Sequence, residues 1–109
     1  MEITFETINN KVVVHVNGRM DALTAPTFEQ GYETWQQGGE SAFVIDLSAL
    51  EYISSAGLRS ILSTAKKVKA AGGTLSFCGV QGMAAEVFKV SGFEKLFVLH
   101  ASQEEALGS

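Results

Sequence analysis

A single cysteine, Cys78, in a chain of 109 residues excludes an internal disulfide and leaves too few thiols for a cysteine-built zinc site. No apolar run approaches the ~18 residues a membrane-spanning helix requires. The start, Met1-Glu2-Ile3-Thr4, lacks the basic-then-apolar pattern of a secretory signal, so a cytoplasmic location is expected. Basic residues are scarce: eight Lys and Arg stand against twelve Asp and Glu, a formal charge of −4. A general nucleic-acid binder carries the reverse balance. There is no phosphate-cradling P-loop and no Gly-x-Ser-x-Gly elbow around Ser55. A hydrolase or transferase using Ser55 as nucleophile would also need a general base, and neither histidine lies on an obvious strand-to-helix loop facing it. The chain is therefore expected not to be an enzyme. His15 and His100 have no second ligand at metal spacing, so no metal and no cofactor are expected.

What is present is a globular composition. Apolar residues make up 46% and charged residues 18%, enough for one core in one domain, residues 1–109, and a monomer fits the size and charge. Ile3–Thr7 and Val12–Val16 flank Asn9-Asn10 and predict an antiparallel hairpin, with Ile3, Phe5 and Thr7 on one face of the first strand and Val12, Val14 and Val16 on one face of the second. Gly18 is expected to end the second strand. Pro26 suits the first turn of a helix whose stripe is Phe28, Tyr32 and Trp35 and whose stop is Gly38-Gly39. Ala42–Leu47 reads as a central strand. Ser48-Ala49-Leu50-Glu51 fits a capping box and predicts one helical turn.

A longer helix should start near Ser55, with Leu58, Ile61, Leu62, Ala65 and Val68 inward and Ser60, Ser63, Thr64, Lys66 and Lys67 outward. Thr74–Cys78 predicts another strand, and Cys78 on it an inert buried thiol. Met83, Ala84, Val87 and Phe88 predict a third helix with Met83 in the core, closed by Gly92 with Phe93 packed behind it. Leu96–Leu99 reads as the last strand. Ser102–Leu107 reads as a closing helix capped by Ser102. The fold class is α/β: a mixed β-sheet with an N-terminal antiparallel hairpin, then alternating helices and parallel strands.

The informative stretch runs from Val44 to Arg59. A central strand ends, and Ser54 and Ser55 stand where the next helix begins. A serine there can cap the helix by accepting from an orphan backbone N–H. The same place also accepts a phosphate, which meets free N–H groups and the positive end of the helix dipole. Asp21 reads either as a cap for the first helix or as a partner contact. Arg59 reads either as a surface charge or as a partner contact. Asp46 reads as a cap for the local turn.

With Gly57 and Leu58 as anchors, Ser54-Ser55-Ala56-Gly57-Leu58 resembles the strand-to-helix motif of the anti-sigma factor antagonists, the bacterial single-domain STAS proteins. That family typically reads aspartate-serine-serine/threonine-glycine-leucine there. Ser55 falls on its phosphorylated serine, Ser54 on its usual aspartate and Ala56 on the following position. Gly18-Arg19-Met20-Asp21-Ala22, Gly72-Gly73-Thr74-Leu75 and Val90-Ser91-Gly92-Phe93 resemble further family segments, in order and at family spacing. Ser54 in place of the aspartate removes a negative charge and leaves two adjacent hydroxyls, so Ser54 is the alternative acceptor.

The resemblance implies a STAS-type fold and a partner-switching role. The unphosphorylated protein would bind a GHKL-type serine kinase that is also an anti-sigma factor, freeing its target. Phosphorylation of Ser55 would break that complex, and a PP2C-type serine phosphatase would restore it. The partner-binding residues it implies are Asp21, Ser54, Ser55, Ala56, Gly57 and Arg59. The alternative is a STAS module whose serines are never phosphorylated, serving as a scaffold or subunit of a larger regulatory or transport assembly.

Overall fold

The computed structural model describes residues 2–108. β1 (Glu2–Ile8) and β2 (Lys11–Met20) form the antiparallel hairpin, with Ile8 opposite Lys11 across the two-residue turn. Asn9 and Asn10 both take positive φ, 53° and 64°, the conformation a tight hairpin turn demands. Ile3, Phe5 and Thr7 pair with Val16, Val14 and Val12, so each trio shares one face of its strand as expected. α1 (Ala25–Gln37) follows, with Pro26 in its first turn, and then β3 (Ala42–Asp46), parallel to β2.

The segment after β3 departs from the helical turn expected at Ser48–Glu51. Leu50–Ile53 is a strand, β4, parallel to the end of β2. The local capping signal loses to two tertiary effects. The Asp46 carboxylate already accepts from the Ser48 N–H at 2.9 Å, and Leu50 and Ile53 gain burial by pairing with β2. β2 can serve both neighbours because it does not stop at Gly18. It bulges between Gly18 and Arg19, where Gly18 holds φ +86°, and continues to Met20. β3 thus lies along the first half of β2 and β4 along its last residues.

α2 (Ser55–Ala70), β5 (Thr74–Cys78) and α3 (Gly82–Ser91) come next. α4 (Phe93–Leu96) is a single turn where the last strand was expected to begin, so β6 covers only Val98–His100 and Leu96 is exposed. Gly92 ends α3 in the left-handed region, and Phe93 packs behind it. α5 (Gln103–Leu107) closes the chain, with the Ser102 hydroxyl accepting from the Glu105 N–H. The sheet order is β1-β2-β3-β5-β6, with β4 beside β2. No helix among the described residues is long and apolar enough to cross a membrane.

Strand alternation divides the core. Val12, Val14, Val16, Phe43, Ile45 and Phe77 pack with Phe28, Tyr32, Ile61, Val68 and Phe88 from α1, α2 and α3. On the opposite face Val13, Val44 and Cys78 pack with Ala106 of α5. Trp35 is half-buried and stacks on Phe5, with ring centroids 6.0 Å apart. Two expectations about helix faces fail. Met83 lies 40% exposed, because it is rotated off the buried stripe of Ala84 and Phe88. Ser60 and Thr64 are 5% and 1% exposed rather than solvated, because α2 buries two sides, one against the sheet and one against α1.

Cys78 is buried as expected. Burial, and then the Asp46 charge, push its thiol up to about 11. The native protein should react with a thiol reagent at pH 8 far more slowly than the urea-unfolded chain, as a disulfide-exchange assay with absorbance readout would register.

Candidate functional site

The site forms where the end of β2 meets the start of α2. The backbone N–H of Ser54 donates to the carbonyl of Met20 at 2.9 Å, which extends the β2–β4 ladder by one step. The residue after each partner then leaves the sheet at the same edge: Asp21 from one chain segment, Ser55 from the other. Parallel strands ending together beside a helix N-terminus commonly form a binding crevice in α/β folds.

Ser54 and Ser55 divide the roles that the sequence assigns to both. Ser54 is the N-cap, with extended backbone, and its Oγ accepts from the Gly57 N–H at 3.2 Å. Aspartate, the residue the resembled family usually carries at the matching position, is also a strong N-cap type; Ser54 supplies the cap here without the charge. Ser55 is the first helical residue and is exposed. Its hydroxyl is not spent on the cap. Among the described residues no backbone acceptor meets the N–H groups of Ser55 and Ala56, which are among the donors a helix start leaves open.

Gly57 is buried, and the cause is steric. A Cβ there would stand 2.8 Å from the Met20 carbonyl oxygen and 2.9 Å from Ile53 Cγ1. A side chain would push the first turn of α2 off the sheet and carry Ser55 with it.

Asp21 shapes the loop that leads into α1. Its Oδ1 accepts from the N–H groups of Leu23 at 3.0 Å and Thr24 at 3.2 Å, and from the Thr24 hydroxyl at 3.2 Å. Burial works against ionisation of Asp21. The Leu23, Thr24 and hydroxyl donors and the Arg19 charge prevail and hold its carboxyl below the usual aspartate range. The bonds brace the loop ahead of α1, whose N-cap residue is Thr24. Beside Asp21, Leu23 is 89% exposed, a large apolar side chain that the core does not use.

Ala56 and Arg59 of α2 face Ala22, Pro26 and Glu29 across a shallow groove of about 350 Å³. Ser60 also lines it, buried, with an Oγ that finds no hydrogen-bond partner among the described residues. The structure thus brings Ser54, Ser55, Ala56, Gly57 and Arg59 onto one helix start, with Asp21 at the adjoining strand end.

Sequence reasoning missed Arg19. Its guanidinium lies 4.2 Å above the centroid of Tyr52, directly opposite on β4. That pair becomes visible only once β4 is known to be a strand. Sequence spacing also hid the histidine partners. His15 Nε2 lies 3.2 Å from Glu6 on β1 and His15 Nδ1 3.5 Å from Asp46 on β3, while His100 Nδ1 lies 3.3 Å from Glu105. Asp46 also accepts from Gln103 Nε2 at 3.2 Å, which ties α5 to the sheet and gives this carboxylate the structural role expected of it.

Residues 2–106 match the family model described as the STAS domain. BtrV of Bordetella bronchiseptica, named as a candidate anti-sigma factor antagonist, is 34% identical over 106 residues, covering 97% of this chain and 91% of BtrV. The anti-sigma-F factor antagonist RsfB of Mycobacterium tuberculosis is 28% identical over 107 residues, covering 96% of this chain and 85% of RsfB. The crystal structure of an anti-sigma factor antagonist from Mycobacterium paratuberculosis superposes with a TM-score of 0.87 at 29% identity, covering 98% of this chain and 91% of that one.

The division between cap, spacer and exposed serine has measurable consequences for stability. Gly57→Ala should cost about 1–3 kcal/mol, because the Met20 backbone cannot yield. Ser54→Ala should cost about 1 kcal/mol through the lost cap. Ser55→Ala should fall within about 0.5 kcal/mol of wild type. Urea denaturation of the three variants checks the order, and a larger loss at Ser55 than at Ser54 would overturn the cap assignment.

Proposed function

Because the chain belongs to the STAS domain family, in the company of anti-sigma factor antagonists, we propose that it is the phosphorylation-controlled member of a partner-switching circuit. Unmodified, it binds a GHKL-type serine kinase that doubles as an anti-sigma factor, and so frees that protein's target. The kinase moves the γ-phosphoryl group of ATP onto Ser55 Oγ. The hydroxyl proton is lost, ADP departs and the complex breaks. A PP2C-type serine phosphatase hydrolyses the phosphoester, releasing inorganic phosphate and returning the serine.

The observation that carries this reading is the exposed, uncommitted hydroxyl of Ser55 on the first helical residue, beside a cap that Ser54 already supplies. A phosphate at this place is favoured by about 0.3–1 kcal/mol through the helix dipole, so it need not disturb the domain that carries it. Its effect falls on the partner. Phosphorylation adds about −1.5 to −2 charge at one point of an interface that had accommodated a neutral hydroxyl. A loss of about 3 kcal/mol there weakens binding more than a hundredfold. Asp21 and Leu23, which follow the end of β2, and Arg59 of α2 offer the partner an acid, an exposed apolar side chain and an exposed base, the polar rim and apolar centre an interface uses.

Intact-mass and peptide mapping after incubation with ATP and extract of the source bacterium tests the reading. One phosphate should appear on Ser55, vanish in Ser55→Ala and persist in Ser54→Ala. An unmodified chain, in extract that phosphorylates a control protein of the family, would favour the constitutive scaffold. Phosphate on Ser54 would keep the switch and overturn the residue assignment.

A further inference from the structure

The chain has two arginines and six lysines, and their placement is uneven. Lys66, Lys67 and Lys69 sit in the second half of α2, and Lys67 pairs with Glu33 at 3.3 Å. Arg19 is held over Tyr52. Arg59 is exposed and takes part in no ion pair among the described residues, although Glu29 lines the same groove. It stands four residues beyond Ser55 on α2. At that spacing two helical residues share a face with Cβ atoms about 5–6 Å apart, and an anion preceding a cation is the favourable order.

We propose that Arg59 is the phosphate-binding residue of the phosphorylated state. Its guanidinium closes back along the helix onto the phosphoryl group of Ser55. This inference rests on the reading of Ser55 as the acceptor. Arginine suits the task, since its planar fork matches two phosphate oxygens at once and stays charged. The open N–H groups of Ser55 and Ala56 face the same group from the helix end. Phosphorylation then has two effects on a partner. It adds negative charge, and it withdraws a guanidinium that in the unmodified protein is available to a carboxylate of the partner. Arg59 acts as a positioning residue here, not a catalytic one.

The test uses the full chain with phosphoserine installed at position 55 during translation. The ³¹P chemical shift, followed through the phosphate's second ionisation near pH ~6, reports the charge beside it. Arg59→Ala should raise the midpoint by about 0.5 pH unit at low salt, and Arg59→Lys should restore roughly half of that. Lys69→Ala removes the same charge at a point about 21 Å along the helix from Ser55 and should move the midpoint by less than about 0.1 unit. An unchanged midpoint in Arg59→Ala, or an equal shift in Lys69→Ala, would overturn the clamp. Amide spectra of the same samples report folding, and Arg59→Gln gives the same readout if the alanine variant misfolds. The phosphoryl group is installed without the kinase, so the two ideas fail separately. A shift absent here while extract modifies Ser55 overturns only the clamp. A shift present here while extract leaves Ser55 untouched overturns only the circuit.

Discussion

The first turn of α2 rests directly on the backbone of β2. Gly57 leaves no room for a Cβ beneath the Met20 carbonyl, and the same carbonyl receives the N–H of Ser54. These two contacts seat a helix start directly on a strand end. Much of the local architecture follows from them. β2 extends past Gly18 to offer Met20, with a bulge between Gly18 and Arg19 on the way. β4 must pair with that extension to deliver Ser54 at the right height. Asp21 and Ser55 then each follow directly on one of the two hydrogen-bonded residues, Met20 and Ser54.

The arrangement separates stability from accessibility. A helix start leaves several donors open, and a serine at that place could be consumed by satisfying one of them. Here the preceding serine takes that role, so Ser54 belongs to the fold and Ser55 to the surface. The Asp21 loop repeats the logic. Its carboxylate is engaged with the N–H groups of Leu23 and Thr24, which braces a turn that holds Leu23 out in solvent. In both places a short polar side chain ties down the backbone, and the neighbouring residue is left free to meet something else.

How much of this could be read beforehand follows from the range of the interactions. The hairpin at Asn9-Asn10, the helix stop at Gly92 and strand β5 rest on signals within a few residues, and they stand where the sequence put them. β4 was hidden because its four residues carry a local helix signal that pairing with β2 overrides. Ser60 and Thr64 were misread because a periodic stripe reveals one buried face, whereas α2 has a second against α1. The same limit applied at the site. The adjacent serines and Gly57 could be found from their motif. Which serine caps the helix depended on one hydrogen bond, and Arg19 depended on a strand that the local pattern disguised.

The protein is acidic overall, so a phosphoryl group added at an arbitrary surface point would deepen its own repulsion. At the start of α2 it meets the positive end of a sixteen-residue helix, with Arg59 one turn away. On the proposed reading, repulsion within the domain would be small where repulsion against a docked surface would be large. A switch needs that asymmetry. A modification that destabilised its own domain as much as its complex would change abundance as well as binding. One that is tolerated by the fold and rejected by the interface changes binding alone.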